Sequence, residues 1–198
     1  MQCEFKDGTK IYCEHTSHHP PVTNFLMEPE NDSYKYWGFY EFTGSMSANS
    51  LKSGLRGPNN IVFASDGQHI RFRVPDFKLG GTVMGERTIE SDGNIVFEDL
   101  NNNWKAVVCF NTYKKSGYWT VTESGQKDEY VGVIYNCKPI DKVESARRLY
   151  SKNGEELKDL SQINDMVSPI CDISGSFLRH LMIEGKKYWD IDEDAPHR

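Results

Sequence analysis

The chain has 198 residues, a length for one domain with a core of its own. Charged residues make up 26% and the formal net charge is −6, which excludes a non-specific nucleic-acid binder, because that function needs a cationic footprint. No apolar run approaches the roughly 20 residues that span a bilayer, so no transmembrane helix is predicted.

Taken in chain order, the dominant period is two. The first residues, MQCEFKDGTK, hold no apolar stretch of the kind a secretory signal needs, and Asp7-Gly8 reads as a turn before the strand KIYCE. The segment EHTSHHPP follows, and then YKYWGFYEF (34–42), dense in aromatics with Gly38 inside it, which predicts a bent or bulged strand. After the turn at Asp66-Gly67, Ile70, Phe72 and Val74 alternate with Arg71 and Arg73, a strand with one wet face. Turns at Asp92-Gly93 and Asn101 to Asn103 bound the next run, and WKAVVCF (104–110), YWTVT (118–122) and YVGVIY (130–135) read as further strands. Strands joined by short turns without helices between them predict an antiparallel sheet, and at this length a sandwich or a closed or nearly closed barrel.

One stretch departs from that rhythm. From Lys138 to about Pro169 the chain is charged, and Val143, Ala146, Leu149 and Tyr150 fall at helical spacing. Asp141 is placed to cap this helix, with Glu144 three residues on, so the spacing predicts a short helix over 141–150 within an irregular insertion. Strand character returns at ICDISGSFLRHLMI (170–183), with a turn at Gly185 and WDID after it. The five cysteines are odd in number, widely spaced and without a C-x-x-C pair, which reads as reduced thiols in a cytoplasmic protein.

Three of the six histidines, His15, His18 and His19, lie in EHTSHHPP. A zinc site needs three or four ligands converging on one point, and a strand that ends in Pro-Pro does not bring these three together. Ser17 adjoins His18, but neighbours on a strand diverge, and neither a G-x-S-x-G elbow nor a Gly-rich phosphate loop is present. An anion site has a physical basis: Pro20 disfavours helix at His19 and Pro21 lacks an N–H, so the segment suits a strand end where imidazoles donate to a phosphate. These residues by themselves leave three readings open: a structural pair, a metal-dependent hydrolase built on His15, His18 and His19, and an anion site.

SHHPP after the strand DGTKIYCE resembles the signature of the oxysterol-binding protein family, written E-Q-x-S-H-H-P-P. Seven of the eight positions from Glu14 to Pro21 fit it, and His15 stands where the family has Gln. FKLGGTVMGERTIESDGNIVFED, KKSGYWTVTESGQKDEYVGVIYN and ISGSFLRHLMIEGKKYWDI look like later strands of that family's lipid-binding barrel, the last with Phe177 where Trp is usual. The resemblance implies an all-β-dominated fold, an incomplete antiparallel β-barrel with the helical insertion near 141–150, and one domain over 1–198. It has no counterpart here to the family's N-terminal lid or C-terminal helical subdomain. It further implies a non-enzymatic protein without cofactor or metal, cytoplasmic and peripheral at membrane surfaces or contact sites. Such a protein binds a sterol, phosphatidylinositol 4-phosphate or another phospholipid and transfers it between membranes, with no nucleic-acid partner. The resemblance sets the phosphoinositide phosphate on His18 and His19, and Lys114 and Lys115 are candidates for headgroup or membrane contact. The alternative is a non-transporting barrel module that docks proteins or membranes, for which the aromatic strand YKYWGFYEF is the motive.

Overall fold

The computed structural model describes residues 1–92, 94–110, 114–116, 122–124, 129–150, 157, 160–176 and 179–191. In chain order the strands are β1 (Gln2–Glu4), β2 (Lys10–His18), β3 (Pro21–Glu28), β4 (Tyr34–Ser47), β5 (Ser50–Arg56), β6 (Asn59–Phe63), β7 (His69–Phe72), β8 (Asp76–Gly80) and β9 (Thr88–Asp92). They continue as β10 (Asn94–Asp99), β11 (Trp104–Cys109), β12 (Lys114–Ser116), β13 (Thr122–Ser124) and β14 (Glu129–Cys137). Helix α1 (Lys142–Tyr150) follows, and then β15 (Met166–Ser176), β16 (His180–Ile183) and β17 (Lys186–Asp190).

One antiparallel sheet runs β1-β2-β3-β4-β6-β7-β10-β11-β14-β15-β16-β17. Its two end strands have one neighbour each, so the barrel is incomplete. β4 is long enough to serve two partners on one edge: Tyr34 to Gly38 pair with β6, and Glu41 to Ser47 pair with β5. From β5 the strands β8 and β9 extend sideways as a flap.

Local chemistry sets the turns. Asp7 Oδ1 accepts the N–H of Thr9 at 3.0 Å, and Asp66 Oδ1 does the same for Gln68 at 3.0 Å, the Asx geometry expected of Asp-Gly turns. Burial opposes the charge of Asp99, yet donors from the Asn102 and Gln68 side chains and the Asn101 and Asn102 backbone hold its carboxyl below the ordinary value. The predicted helix is present, and Asp141 Oδ1 caps it by accepting the N–H of Val143 at 2.9 Å and of Glu144 at 3.0 Å. The strand character expected over 170–183 is present as a hairpin, β15 and β16, that begins earlier, at Met166. Residues 118–121 of YWTVT and Gly93 lie outside the described residues.

At Gly38 a bent or bulged strand was expected, and the bulge is absent. The register of β4 with β3 and β6 runs through it without a shift, so it is not a bulge. Its role is close packing: a Cβ there would stand 2.5 Å from the Pro58 carbonyl and 3.1 Å from the Phe25 ring. Because the first obstacle is backbone, Gly38→Ala is expected to cost about 1–3 kcal/mol, the range for overpacking, read as a lower midpoint in urea unfolding.

The two faces of the sheet differ. On one, Val107, Cys109, Val133, Tyr135 and Cys137 pack with Ile140, Leu160 and Ile163 from the insertion. The register also aligns Arg71, Glu98, Lys105 and Tyr135 across four strands of this face. Helix α1 fastens there: Ser145 and Arg148 both donate to the Glu98 carboxylate, which is 1% exposed, and Arg71 donates to the Lys142 carbonyl at 2.8 Å. Lys105 completes the cluster with ion pairs to Glu98 at 3.2 Å and Asp165 at 2.7 Å. The opposite face carries no helix among the described residues, and there Val108, Tyr130 and Ile173 pack with Phe97 and Ile134.

Candidate functional site

On the face away from α1, the register aligns one row across nine strands: Cys13, Phe25, Gly38, Asn59, Phe72, Phe97, Ala106, Ile134 and Cys171. Aromatic rings fill its first half. Phe25 lies over Gly38 and packs edge-on against Tyr36 at 4.9 Å and stacked against Tyr40 at 5.1 Å. Tyr36 meets Phe72 at 6.2 Å, and Phe72 meets Phe97 at 4.9 Å. All but Gly38 and Asn59 in this part of the row are half-buried, so the rings form an apolar surface open to a ligand.

A polar point sits in the middle of it. The Tyr36 hydroxyl donates to Asn59 Oδ1 at 2.9 Å and the Tyr40 hydroxyl donates to the same oxygen at 2.6 Å. Burial pushes the Tyr40 hydroxyl pKa up, and the adjacent Tyr36 hydroxyl adds to that rise, so Tyr40 stays a neutral donor. Asn59 is fully buried and its Nδ2 has no hydrogen-bond partner, a donor left over among apolar rings.

The histidines stand at the end of this surface. A bulge between His15 and Ser17 inserts Thr16 into β2, after which Ser17 pairs with Val22 and His18 with Pro21. Residues three apart on a regular strand face opposite ways; the extra residue restores the phase, so His15 and His18 share a face. Their rings meet edge to face with centroids 4.7 Å apart. The register places His15 opposite Thr23, itself opposite Tyr40, which joins the pair to the aromatic row. His15 Nδ1 and Thr23 Oγ1 are hydrogen-bonded at 3.1 Å. His19 falls on the turn to β3, ahead of a cis bond to Pro20, and all three imidazoles are exposed.

The structure therefore gives His18 a neighbour that sequence reasoning set aside: His15 is its ring partner. Lys114 and Lys115 fall on β12, which pairs with β13 apart from the main sheet, and their side chains lie outside the described residues. Tyr36, Tyr40 and Asn59 were missed by sequence reasoning. The period-two pattern of YKYWGFYEF puts Tyr36 and Tyr40 on one face, but Asn59 follows Gly-Pro and reads as a turn. A groove of about 550 Å³ opens at the near edge of the row, lined by Met1, Tyr12, Cys13, Asn24 and Phe25 among others.

The model of the oxysterol-binding protein family matches residues 2–158. The chain is 30% identical over 194 residues to oxysterol-binding protein 9 of Dictyostelium discoideum, covering 96% of this chain and 42% of that protein. It is 28% identical over 105 residues to oxysterol-binding protein-related protein 5 of Homo sapiens, covering 52% of this chain and 12% of that one. The chain thus spans less than half the length of these relatives. Among solved structures, the Osh3 ORD of Saccharomyces cerevisiae in complex with PI(4)P aligns with a TM-score of 0.63 at 15% identity, over 93% of this chain and 41% of that chain. The Osh1 ORD in complex with ergosterol aligns with a TM-score of 0.63 at 14% identity, over 96% and 36%. At these identities the likeness is one of fold.

Proposed function

The chain belongs to the oxysterol-binding protein family, and from that premise we propose that it binds one lipid on the aromatic face of its sheet and carries it between membranes. One observation supports this above the others: the bulge at Thr16 turns His15 and His18 to the same face as Phe25, Tyr36, Tyr40, Phe72 and Phe97. A lipid needs both halves of that arrangement. Its apolar body gains about 25 cal/mol for each Å² removed from water. Its phosphate, where it has one, is held at the rim by charge-assisted hydrogen bonds from imidazole N–H groups.

His18 and His19 are the phosphate residues of this reading, and His15 joins them through its contact with His18. Lys114 and Lys115 would add positive charge near the headgroup or the membrane. Asn59, buried beneath the apolar surface, holds the Tyr36 and Tyr40 hydroxyls in place under a bound lipid. Phosphatidylinositol 4-phosphate and ergosterol are the ligands of the Osh3 and Osh1 domains, and they are the lipid classes to test first. Nothing in this mode of action requires a bond to be broken, so the protein acts as a carrier and not as an enzyme, in the cytoplasm and at membrane surfaces.

The test is lipid extraction. Purified chain is incubated with vesicles containing ergosterol or phosphatidylinositol 4-phosphate, re-isolated, and its bound lipid identified by mass spectrometry. Wild type is expected to retain one lipid per chain, and His18→Ala/His19→Ala to lose the phosphoinositide while keeping the sterol. A wild-type chain that returns empty from both vesicles would instead favour a non-transporting docking module.

A further inference from the structure

The side flap is amphipathic in a way the sheet core does not require. Along one cross-strand row the register aligns Met46, Leu51, Leu79 and Ile89, along the next on that face Gly44, Ser53, Phe77 and Ser91, and beyond it Phe42 with Leu55. The alternate positions on the other face are Ser45, Lys52 and Lys78. Met46 is 81% exposed and Ile89 74%. This apolar face is continuous with the aromatic row, because Tyr40, Phe42, Gly44 and Met46 follow one another on one side of β4.

The far end of the flap is formed by the β4–β5 turn and the loop after β8. Val83 and Met84 project from that loop, 73% and 75% exposed. One side chain holds the loop in place: Asn49 Oδ1 accepts the N–H groups of both Val83 and Met84 at 2.9 Å, and its Nδ2 donates to the Met84 carbonyl at 2.8 Å. The N–H groups of Val83 and Met84 and the Met84 carbonyl are thus satisfied inside the protein, without water. Segments 43–51 and 79–85 carry no charged residue, in a chain where charged residues make up 26%.

The geometry points to this flap tip as a bilayer-insertion element, with Met46, Val83 and Met84 entering the apolar zone of a membrane. Three physical requirements meet here. Exposed apolar side chains supply the driving force. Three backbone groups beside them, both N–H groups and the Met84 carbonyl, already have a partner, which matters because hydrocarbon offers none. A surface without charged groups escapes the largest desolvation penalty, that of ionised side chains. The inference deepens the lipid-binding reading by naming the surface through which the site face meets the membrane.

The experiment is co-sedimentation of the whole chain with pure phosphatidylcholine vesicles, which contain neither sterol nor phosphoinositide. Wild type is expected to partition to them, with little change between low salt and 1 M salt. Val83→Ser/Met84→Ser should lower partitioning by roughly tenfold or more, and Val83→Trp should raise it. Binding of a water-soluble short-chain lipid, measured on the same proteins without vesicles, should be unchanged by either variant. Loss of short-chain binding in wild type would count against the lipid-carrier reading alone, since vesicle partitioning reports on the flap. The insertion proposal is overturned by equal partitioning of wild type and Val83→Ser/Met84→Ser. It is equally overturned by a wild type that stays in the supernatant, or by one whose flap tip mediates a dimer that the double substitution dissolves with partitioning unaltered.

Discussion

Glu98→Ala is expected to lower the unfolding free energy by about 3–5 kcal/mol, the range for removing one partner of a buried ion pair. That is a large share of a total that for most domains lies at about 5–15 kcal/mol. Glu98 accepts from Ser145 and Arg148 and pairs with Lys105, so its loss releases two contacts of α1 and weakens the compensation of a buried ammonium. For a chain of this size the unfolding midpoint should fall by roughly 6–20 °C. Glu98→Gln keeps an acceptor for Ser145 but not the charge, and should fall between wild type and Glu98→Ala. A midpoint within about 2 °C of wild type for Glu98→Ala would show that the network contributes nothing to attachment of the helix.

The same cluster sets an acid limit. Burial opposes ionisation of Asp165, but the hydrogen bond and charge of Lys105 and the donor hydroxyl of Tyr135 hold its carboxyl below its ordinary 3.8. A depressed native pKa contributes stability that is present above 3.8 and is lost as pH falls from there through the lower native value. Asp165→Asn should therefore be less stable than wild type at neutral pH, and its stability should decline less between pH 5 and pH 3.

The second large effect falls on phosphoinositide affinity in a histidine series. His18 is the shared member of the group, next to His19 in the chain and in ring contact with His15. Each charge-assisted hydrogen bond is worth about 1.5–3 kcal/mol, so His18→Ala should weaken binding to vesicles doped with phosphatidylinositol 4-phosphate by roughly ten- to a hundredfold. His15→Ala should fall in the same range. His15→Gln should retain most of the affinity, because a carboxamide at that position keeps an N–H donor. The common role of His15 and His18 fails if His19→Ala alone loses affinity and both other alanine variants bind like wild type.

Much of this was legible in the residues, and the parts that were not share a cause. The helix was readable because Asp141 and the apolar spacing of 143–150 are local signals, and the Asp-Gly turns because their chemistry lies within three residues. The signature was readable because EHTSHHPP is contiguous. The bulge was not: strict alternation sends His15 and His18 to opposite faces, and only the pairing of Ser17 with Val22 reveals the extra residue. Asn59 gave no signal because Gly-Pro-Asn-Asn has turn composition, whereas pairing with Gly38 makes it the first residue of a strand. The cluster of Glu98, Lys105, Arg148 and Asp165 joins residues up to 67 positions apart, and no local pattern announces such a meeting. The flap escaped for a further reason: TGSMSANSLKSG holds too few apolar residues to show a period.

The way the flap leaves the main sheet has a consequence for modularity. β7 and β10, the strands on either side of the excursion, are hydrogen-bonded to each other through Ile70 with Asp99, Arg71 with Glu98 and Phe72 with Phe97. The excursion between them therefore begins and ends at adjacent points, like a branch whose base is already closed. Cutting, lengthening or exchanging residues between Gly80 and Thr88 leaves every pairing of the main sheet in register, and a longer loop there adds only about 0.6 kcal/mol for each doubling of its length. The loop can change by whole segments while the aromatic row stays as it is.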